Sequence, residues 1–181
     1  MIQIEYLPLV LTGLSISTSI FYYAMVLRNQ NKTRQTQMTL QLIQSRTDLV
    51  SYQKYWEIIG QQWDTFEEYR EKLSPQNNPE HAAARITLFS FYDSIGVLVK
   101  DKMVNVDMVY RLLSVRIISM WFKYETTIKE NRKQEEGPGK YFMDEFEFLA
   151  EEMIKITIKK GERLPTYYLH PTSELLNKYN R

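Results

Sequence analysis

The 181-residue sequence contains no cysteine, only two histidines, and six residues each of glycine and proline. The absence of cysteine excludes disulfides, thiol catalysis and cysteine-ligated zinc sites. The few glycines and prolines cluster between apolar segments, a pattern that favours long helices with short connections. Lysine and arginine total 23 against 22 aspartates and glutamates, and this balance argues against a nucleic-acid partner.

A further absence is local, because no charged side chain occurs from Tyr6 to Leu27. These roughly 22 residues would form about 33 Å of helix, which is enough to cross the hydrocarbon core of a bilayer. No lysine or arginine precedes the segment, and its end is bulky rather than small, so it differs from a cleaved secretory signal. The sequence therefore predicts an uncleaved single-pass membrane anchor over residues 1–28.

The basic residues next to this segment all follow it, at Arg28, Lys32 and Arg34. Lysine and arginine are enriched on the cytoplasmic side of membrane spans. We therefore expect a protein of the cell membrane whose C-terminal domain is cytoplasmic and whose short N-terminus lies outside.

One face of the predicted anchor carries the small residues Gly13, Ser17 and Ala24. Small residues at such spacing allow two transmembrane helices to pack closely. This face therefore fits a second copy or another membrane subunit. The alternative is that the serine and threonine hydroxyls of the anchor simply bond back to their own helix.

After the anchor, apolar side chains recur in steps of three and four residues as far as position 63. The stripe includes Met38, Leu42, Leu49 and Trp56, and it predicts one stalk helix over residues 29–63 that enters the following domain. Such a heptad-like repeat fits a coiled coil between two copies. The alternative, a helix packed against its own domain, is favoured by the bulk of the tryptophans.

Residues 64–163 are typical of a helical bundle, and residues 164–181 form a tail. Asn78 and Asn105 are predicted N-caps, and Gly161 is the predicted end of the last helix. No segment alternates convincingly as a strand. The predicted fold is therefore all-α, with an N-terminal transmembrane helix and stalk followed by an antiparallel helical bundle. The helices of this bundle are expected at about 65–73, 79–102, 106–131 and 140–160.

Several stretches carry a resemblance to a known family: FYYAMVLRN at 21–29, NKTRQ at 31–35, GVLVKDKMV at 96–104 and WFKY at 121–124. With these stretches the chain resembles a family of archaeal and bacterial single-pass membrane proteins known as domain of unknown function 4760, over roughly residues 15–150. The resemblance implies a membrane-anchored helical domain in a prokaryote, in particular an archaeon. It implies no catalytic residues.

The sequence offers few groups for catalysis. Its two histidines, His81 and His170, lack the spacing of zinc and di-iron helix motifs. A glycine-rich phosphate loop and a nucleophile elbow are also missing. We therefore predict no catalytic residue, no metal ligand and no cofactor.

The most informative polar set lies within the two most apolar helices. It consists of Asp93 in the first of them, together with Arg85, Arg111 and Arg116 in or beside the two helices. In an antiparallel pair of helices, Asp93 would meet Arg111 or Arg116. Because a buried charge needs a partner, we expect a structural ion pair. The alternative is a small anionic pocket in the bundle.

Three functions remain open on this basis. The leading hypothesis is a membrane-anchored interaction protein, an accessory subunit or adaptor, that binds another protein or a second copy at the cytoplasmic membrane face. The alternative is a membrane-tethered sensor or transducer that binds a small ligand in the bundle. The second alternative is a membrane-tethered enzyme whose reacting groups are brought together only by folding.

Overall fold

The computed structural model describes residues 6–44, 48–134 and 137–165. Within these ranges the chain is all-α, without strands, as the sequence predicts. The predicted tail at 164–181, which includes His170, lies outside the described residues from position 166 onwards. The helices are α1 (Leu7–Gln44), α2 (Leu49–Ile59), α3 (Phe66–Leu73), α4 (Pro79–Lys100), α5 (Val106–Gln134) and α6 (Asp144–Lys159), with a short 3-10 helix at Gly137–Tyr141.

Helix α1 runs without interruption over 38 residues, about 57 Å. The apolar segment and the first part of the stalk are thus one continuous helix. Its apolar part is not buried by the rest of the chain, and α1 is long and apolar enough to cross a membrane. Helix α4 meets the same criterion of length and composition, but much of it is buried within the bundle.

The structure differs from the predicted single stalk helix over residues 29–63. Helix α1 ends at Gln44, and α2 begins at Leu49 with Asp48 as its N-cap. The Asp48 carboxylate accepts hydrogen bonds from the backbone N–H and the hydroxyl of Ser51, both at 2.8 Å. A side-chain cap of this kind satisfies N–H groups at the start of a new helix. The break is difficult to recognise in the sequence because the apolar stripe continues across it.

The end of α1 already packs on the bundle, because Thr39 and Ile43 are buried. Helix α5 is its central element and supplies much of the core, including the fully buried Trp121 and Tyr124. The Tyr124 hydroxyl donates to the carbonyl of Ile58 at 2.8 Å. This bond ties α2 to the centre of the bundle, so α2 is part of the domain rather than part of a free stalk.

Helices α5 and α6 run antiparallel. At one end of the pair the Tyr110 hydroxyl donates to the Glu162 carboxylate at 2.7 Å, and at the other end Arg132 pairs with Glu147. Near α1, the side-chain amide of Gln35 donates to the carbonyl of Lys102 at 2.8 Å. This contact places the α4–α5 connection beside the stalk.

The structure confirms the predicted helix ends at Asn78, Asn105 and Gly161. The Asn78 side chain accepts from the His81 N–H at 3.2 Å, and the Asn105 side chain accepts from the Met108 N–H at 3.1 Å. Gly161, just after α6, has a φ of +69°. A left-handed residue at this position commonly ends a helix, and glycine adopts it without strain.

Helices α4 and α6 approach very closely at Gly96. A Cβ atom at this position would lie 2.0 Å from the backbone carbonyl oxygen of Glu145. Since carbonyl oxygens on a helix backbone cannot move aside, only glycine fits here. Gly96 therefore fixes the distance between α4 and the first turn of α6.

We predict that Gly96→Ala destabilises the fold by about 2 kcal/mol, because overpacking outweighs the gain in helix propensity. The measurement is denaturant-induced unfolding of the full-length protein in mild detergent, followed by tryptophan fluorescence. Ser94→Ala, at an exposed site on the same helix, is the matched control and should change stability by less than about 0.5 kcal/mol. Equal stability of both variants would contradict the close approach.

Candidate functional site

Asp93 lies on α4 and faces the first turn of α6. Its Oδ1 atom accepts a hydrogen bond from the Phe146 backbone N–H at 2.9 Å. The residue that precedes α6, Met143, has left-handed backbone angles and forms no side-chain cap. Because the first N–H groups of a helix lack intrahelical partners, Asp93 supplies from another helix the cap that the local sequence does not provide.

Within the described residues, the structure does not bring Asp93 together with Arg111 or Arg116. The Arg116 guanidinium lies 4.8 Å from the centre of the Tyr52 ring on α2, and Arg111 is exposed beside α1. The orientation of α4 about its own axis explains this. Helix α4 is apolar on several sides, and it turns Asp93 toward α6 instead of α5.

The environment of Asp93 disfavours its charge. Burial raises the pKa of this carboxyl group, although the N–H groups of Phe146 and Glu145 act in the opposite direction. The negative charges of Glu145 and Asp144 also raise it. Asp93 therefore takes up a proton more readily in the folded protein than in an unfolded chain.

Cations from two neighbouring helices neutralise the acidic first turn of α6. Arg132 of α5 pairs with Asp144 at 3.0 Å and also with Glu147, while Lys100 of α4 pairs with Glu145 at 2.7 Å. These pairs join three helices at one point. In the part of the chain that the structure describes, no three side chains converge as a metal-binding group.

A second buried polar group lies between α3 and α4, and the sequence patterns had not paired its members, Arg85 and His81. Arg85 is only 8% exposed, and its Nη1 atom donates to the carbonyl of Leu73 at 3.1 Å. The same atom lies 3.4 Å from Nδ1 of His81, one turn earlier. Burial lowers the pKa of His81, and the charge of Arg85 lowers it further. The spacing of His81 and Arg85 on an apolar helix is the only signal of this group in the sequence.

The predicted interface stripe divides at the break between α1 and α2. Met38 and Leu42 are half-buried against their own core. Leu49 and Trp56, in contrast, are 72% and 53% exposed. With Tyr52 between them, these residues follow one face of α2 at spacings of three and four, beside the face that packs into the core.

Helix α5 extends this exposed apolar face. The contact between Arg116 and Tyr52 places α5 beside α2, and on the preceding turn Leu112 and Val115 are 42% and 61% exposed. Exposed apolar side chains grouped on neighbouring helices mark an interaction site more often than isolated exposed residues do. We call the surface formed by Leu49, Tyr52, Trp56, Leu112 and Val115 the α2–α5 patch.

Residues 10–153 match the protein family described as a domain of unknown function (DUF4760). The chain belongs to the DUF4760 family. The expected resemblance is thereby confirmed, and the matched region includes most of α1 together with α2 to α5 and the larger part of α6. No curated protein and no solved structure matches the chain.

In this DUF4760 chain the serine and threonine hydroxyls of the apolar segment bond to their own helix. The side chains of Ser17 and Ser19 donate to the carbonyls of Gly13 and Ser15, both at 2.8 Å. Thr12, Ser15 and Thr18 do the same at 2.8–2.9 Å. A helix satisfied in this way can lie in lipid. A packing role of Gly13, Ser17 and Ala24 toward another helix stays a prediction.

We predict that Asp93→Ala destabilises the protein by about 1–2 kcal/mol, because the Phe146 N–H loses its acceptor. Asp93→Asn retains an acceptor without a charge and should be as stable as wild type, or more stable, at neutral pH. Because the folded state raises the pKa of Asp93, it binds this proton more readily than the unfolded state does. Wild-type stability relative to Asp93→Asn should therefore increase as the pH falls toward the ordinary value of 3.8.

Denaturant unfolding at several pH values, under the same detergent conditions, measures these differences. Because Asp93→Asn shares every other carboxylate with wild type, the comparison isolates this one group. Equal losses for Asp93→Ala and Asp93→Asn at neutral pH would show that the carboxylate charge, and not the acceptor atom, stabilises α6.

Proposed function

We propose that this DUF4760 protein is a membrane-anchored interaction protein. Helix α1 spans the cell membrane, the bundle lies at the cytoplasmic face, and the α2–α5 patch binds another protein. The observation that carries this proposal is the grouping of exposed apolar side chains, up to 72% exposed at Leu49, on two neighbouring helices of the domain.

Three features support the anchor. The apolar part of α1 is unburied, its hydroxyls are satisfied internally, and the family match begins at residue 10, inside the apolar segment. That last feature favours a permanent part of the protein over a removable leader. The cluster of Arg28, Lys32 and Arg34 directly after the segment supports a cytoplasmic bundle.

The distance from the membrane favours a protein over lipid as the occupant of the patch. Helix α1 continues from Arg28 to Gln44, which is about 24 Å along its axis. The headgroup layer of a bilayer is only about 5–8 Å thick. Leu49 and Trp56 follow the end of α1 in the chain, which favours a protein over the lipid surface as their partner.

The charges around the patch indicate the chemistry of its partner. Lys32, Arg111 and Leu112 line a crevice of about 290 Å³ between α1 and α5. Within the described part of the chain, Lys32, Arg111 and Arg116 form no ion pair. An amphipathic helix with acidic residues beside its apolar face is complementary to this arrangement.

The orientation of α1 favours a different membrane protein over a second copy. Ala24 and Leu42 are about five helical turns apart, so they lie on the same face, and Leu42 packs against the bundle. The small-residue face therefore lies on the same side of α1 as the bundle. Two copies that paired through this face would direct both bundles into the space between their stalks.

The proposed orientation can be tested with single cysteines, because the chain has none of its own. We expect Ser90→Cys, at an exposed site on α4, to react with a membrane-impermeant maleimide only after the cells are permeabilised. Gln3→Cys, on the outer side, should react in intact cells. Labelling of Ser90→Cys in intact cells would show that the bundle lies outside. Release of the protein from membranes by alkaline carbonate would disprove the anchor.

The proposed binding surface can be tested by chemical cross-linking in native membranes. We expect the double variant Leu49→Ser/Trp56→Ser to recover at least about tenfold less of a specific partner than wild type, since buried apolar residues dominate binding energy. Ile158→Ser, at a 44% exposed site on α6, is the matched control and should recover the partner normally. Equal recovery by the double variant would disprove the role of the patch.

A further inference from the structure

A cavity of about 400 Å³ opens between α3, the start of α4 and the end of α5. It lies at the opposite end of α4 from the contact between Gln35 and Lys102. Its volume is within the range of sites for small molecules. The residues that line it include Tyr69, Arg70, Ser74, Arg85, Asn131 and Phe142.

Arg85 is the innermost charge of this cavity. More than nine-tenths of its surface is buried, and its contacts within the described residues are all neutral: the Leu73 carbonyl, the His81 ring and the Tyr69 ring, whose centre is 5.0 Å from Cζ. Stacking on an aromatic ring compensates only part of the cost of burying a cation. The guanidinium has five N–H donors, and these contacts leave several of them for a ligand.

The contrast with Arg132 shows that this arrangement is unusual for the bundle. Arg132 is less buried than Arg85, yet it binds the carboxylates of both Asp144 and Glu147. In the described part of the chain no carboxylate pairs with Arg85, nor with Arg70 at the rim of the same cavity. Two arginines without counter-charges thus line one cavity.

The histidine beside Arg85 leaves the positive charge of the arginine uncompensated. The ring of His81 is buried, and its Nε2 atom has no hydrogen-bond partner among the described residues. Burial and the neighbouring Arg85 both disfavour its protonation, so it faces the guanidinium as a neutral ring. The positive charge of Arg85 therefore remains uncompensated on every side that the structure describes.

We propose that this cavity binds a small organic molecule that carries an oxyanion, either a carboxylate or a phosphate. Arg85 binds the oxyanion from inside with its planar fork of N–H donors, and Arg70 adds a second cation at the rim. Ser74 and Asn131 offer further polar groups. The rings of Tyr69 and Phe142 provide apolar walls for the body of the ligand. This site is separate from the α2–α5 patch and does not depend on it.

Calorimetric titration of the full-length protein in mild detergent tests this proposal, with phenyl phosphate, benzoate and inorganic phosphate as probes at constant ionic strength. We expect saturable binding of phenyl phosphate or benzoate. The Kd should increase by about tenfold or more in Arg70→Gln, which removes one charged contact. Arg85→Lys should weaken binding further, because an ammonium group cannot replace the planar fork.

The matched control is Arg163→Gln, at an exposed arginine beyond α6, which should bind with the wild-type Kd. Arg70 is also exposed, so Arg70→Gln remains decisive even where Arg85→Lys does not fold. Preference for phenyl phosphate or for benzoate identifies the oxyanion, whereas binding of inorganic phosphate without either organic probe would contradict a ligand with an organic body. Absence of binding by all three probes, or equal Kd values for wild type, Arg70→Gln and Arg163→Gln, would overturn the proposal.

Discussion

The close approach of α6 to α4 organises the rest of the bundle. Gly96 allows the backbone of α6 to reach α4, and Asp93 then caps the helix that arrives there. The same approach drives Phe146 into the core, where its ring contacts those of Tyr92 and Trp121, both at 5.2 Å between centroids. Because α6 has no side-chain cap of its own, its first turn depends on α4 for this hydrogen bond.

The buried cations of the bundle differ in how they can be accommodated. Lys123 is buried with its Nζ atom 4.5 Å from the centre of the Trp63 ring, and burial lowers its pKa. A lysine in such a site can lose its proton, whereas an arginine stays charged. Arg132 is neutralised by carboxylates of α6. Among these three residues, only Arg85 combines a permanent charge with neutral surroundings and an open cavity, and this combination distinguishes a ligand site from core packing.

Local signals predicted the helices well, but not the partners of their polar residues. Asn78 and Asn105 were identifiable as caps because the cap and the N–H it binds are within one turn. The break before α2 depends on an equally local pair, Asp48 and Ser51, which the continuing apolar stripe obscured. The environment of Asp93 was beyond such reasoning, because a helix that is apolar on several sides does not reveal which neighbour each residue faces. Its contact with α6 depends on a tertiary approach that only the assembled bundle defines.

Packed aromatic residues connect the cavity to α2, the helix that carries part of the α2–α5 patch. Tyr69 stacks under Arg85 and lies 5.3 Å from the Trp63 ring, just after α2. Tyr124 contacts Trp63 at 5.0 Å and binds the carbonyl of Ile58 within α2. Such contiguity is not sufficient for regulation, since a ligand shifts an equilibrium only if it binds two states with different affinity. If the proposed ligand orders the α3–α4 region differently in the partner-bound and free states, the coupling must be reciprocal: the protein partner would change the affinity for the ligand by the same factor. The interaction protein and the small-molecule sensor would then describe one molecule rather than two alternatives.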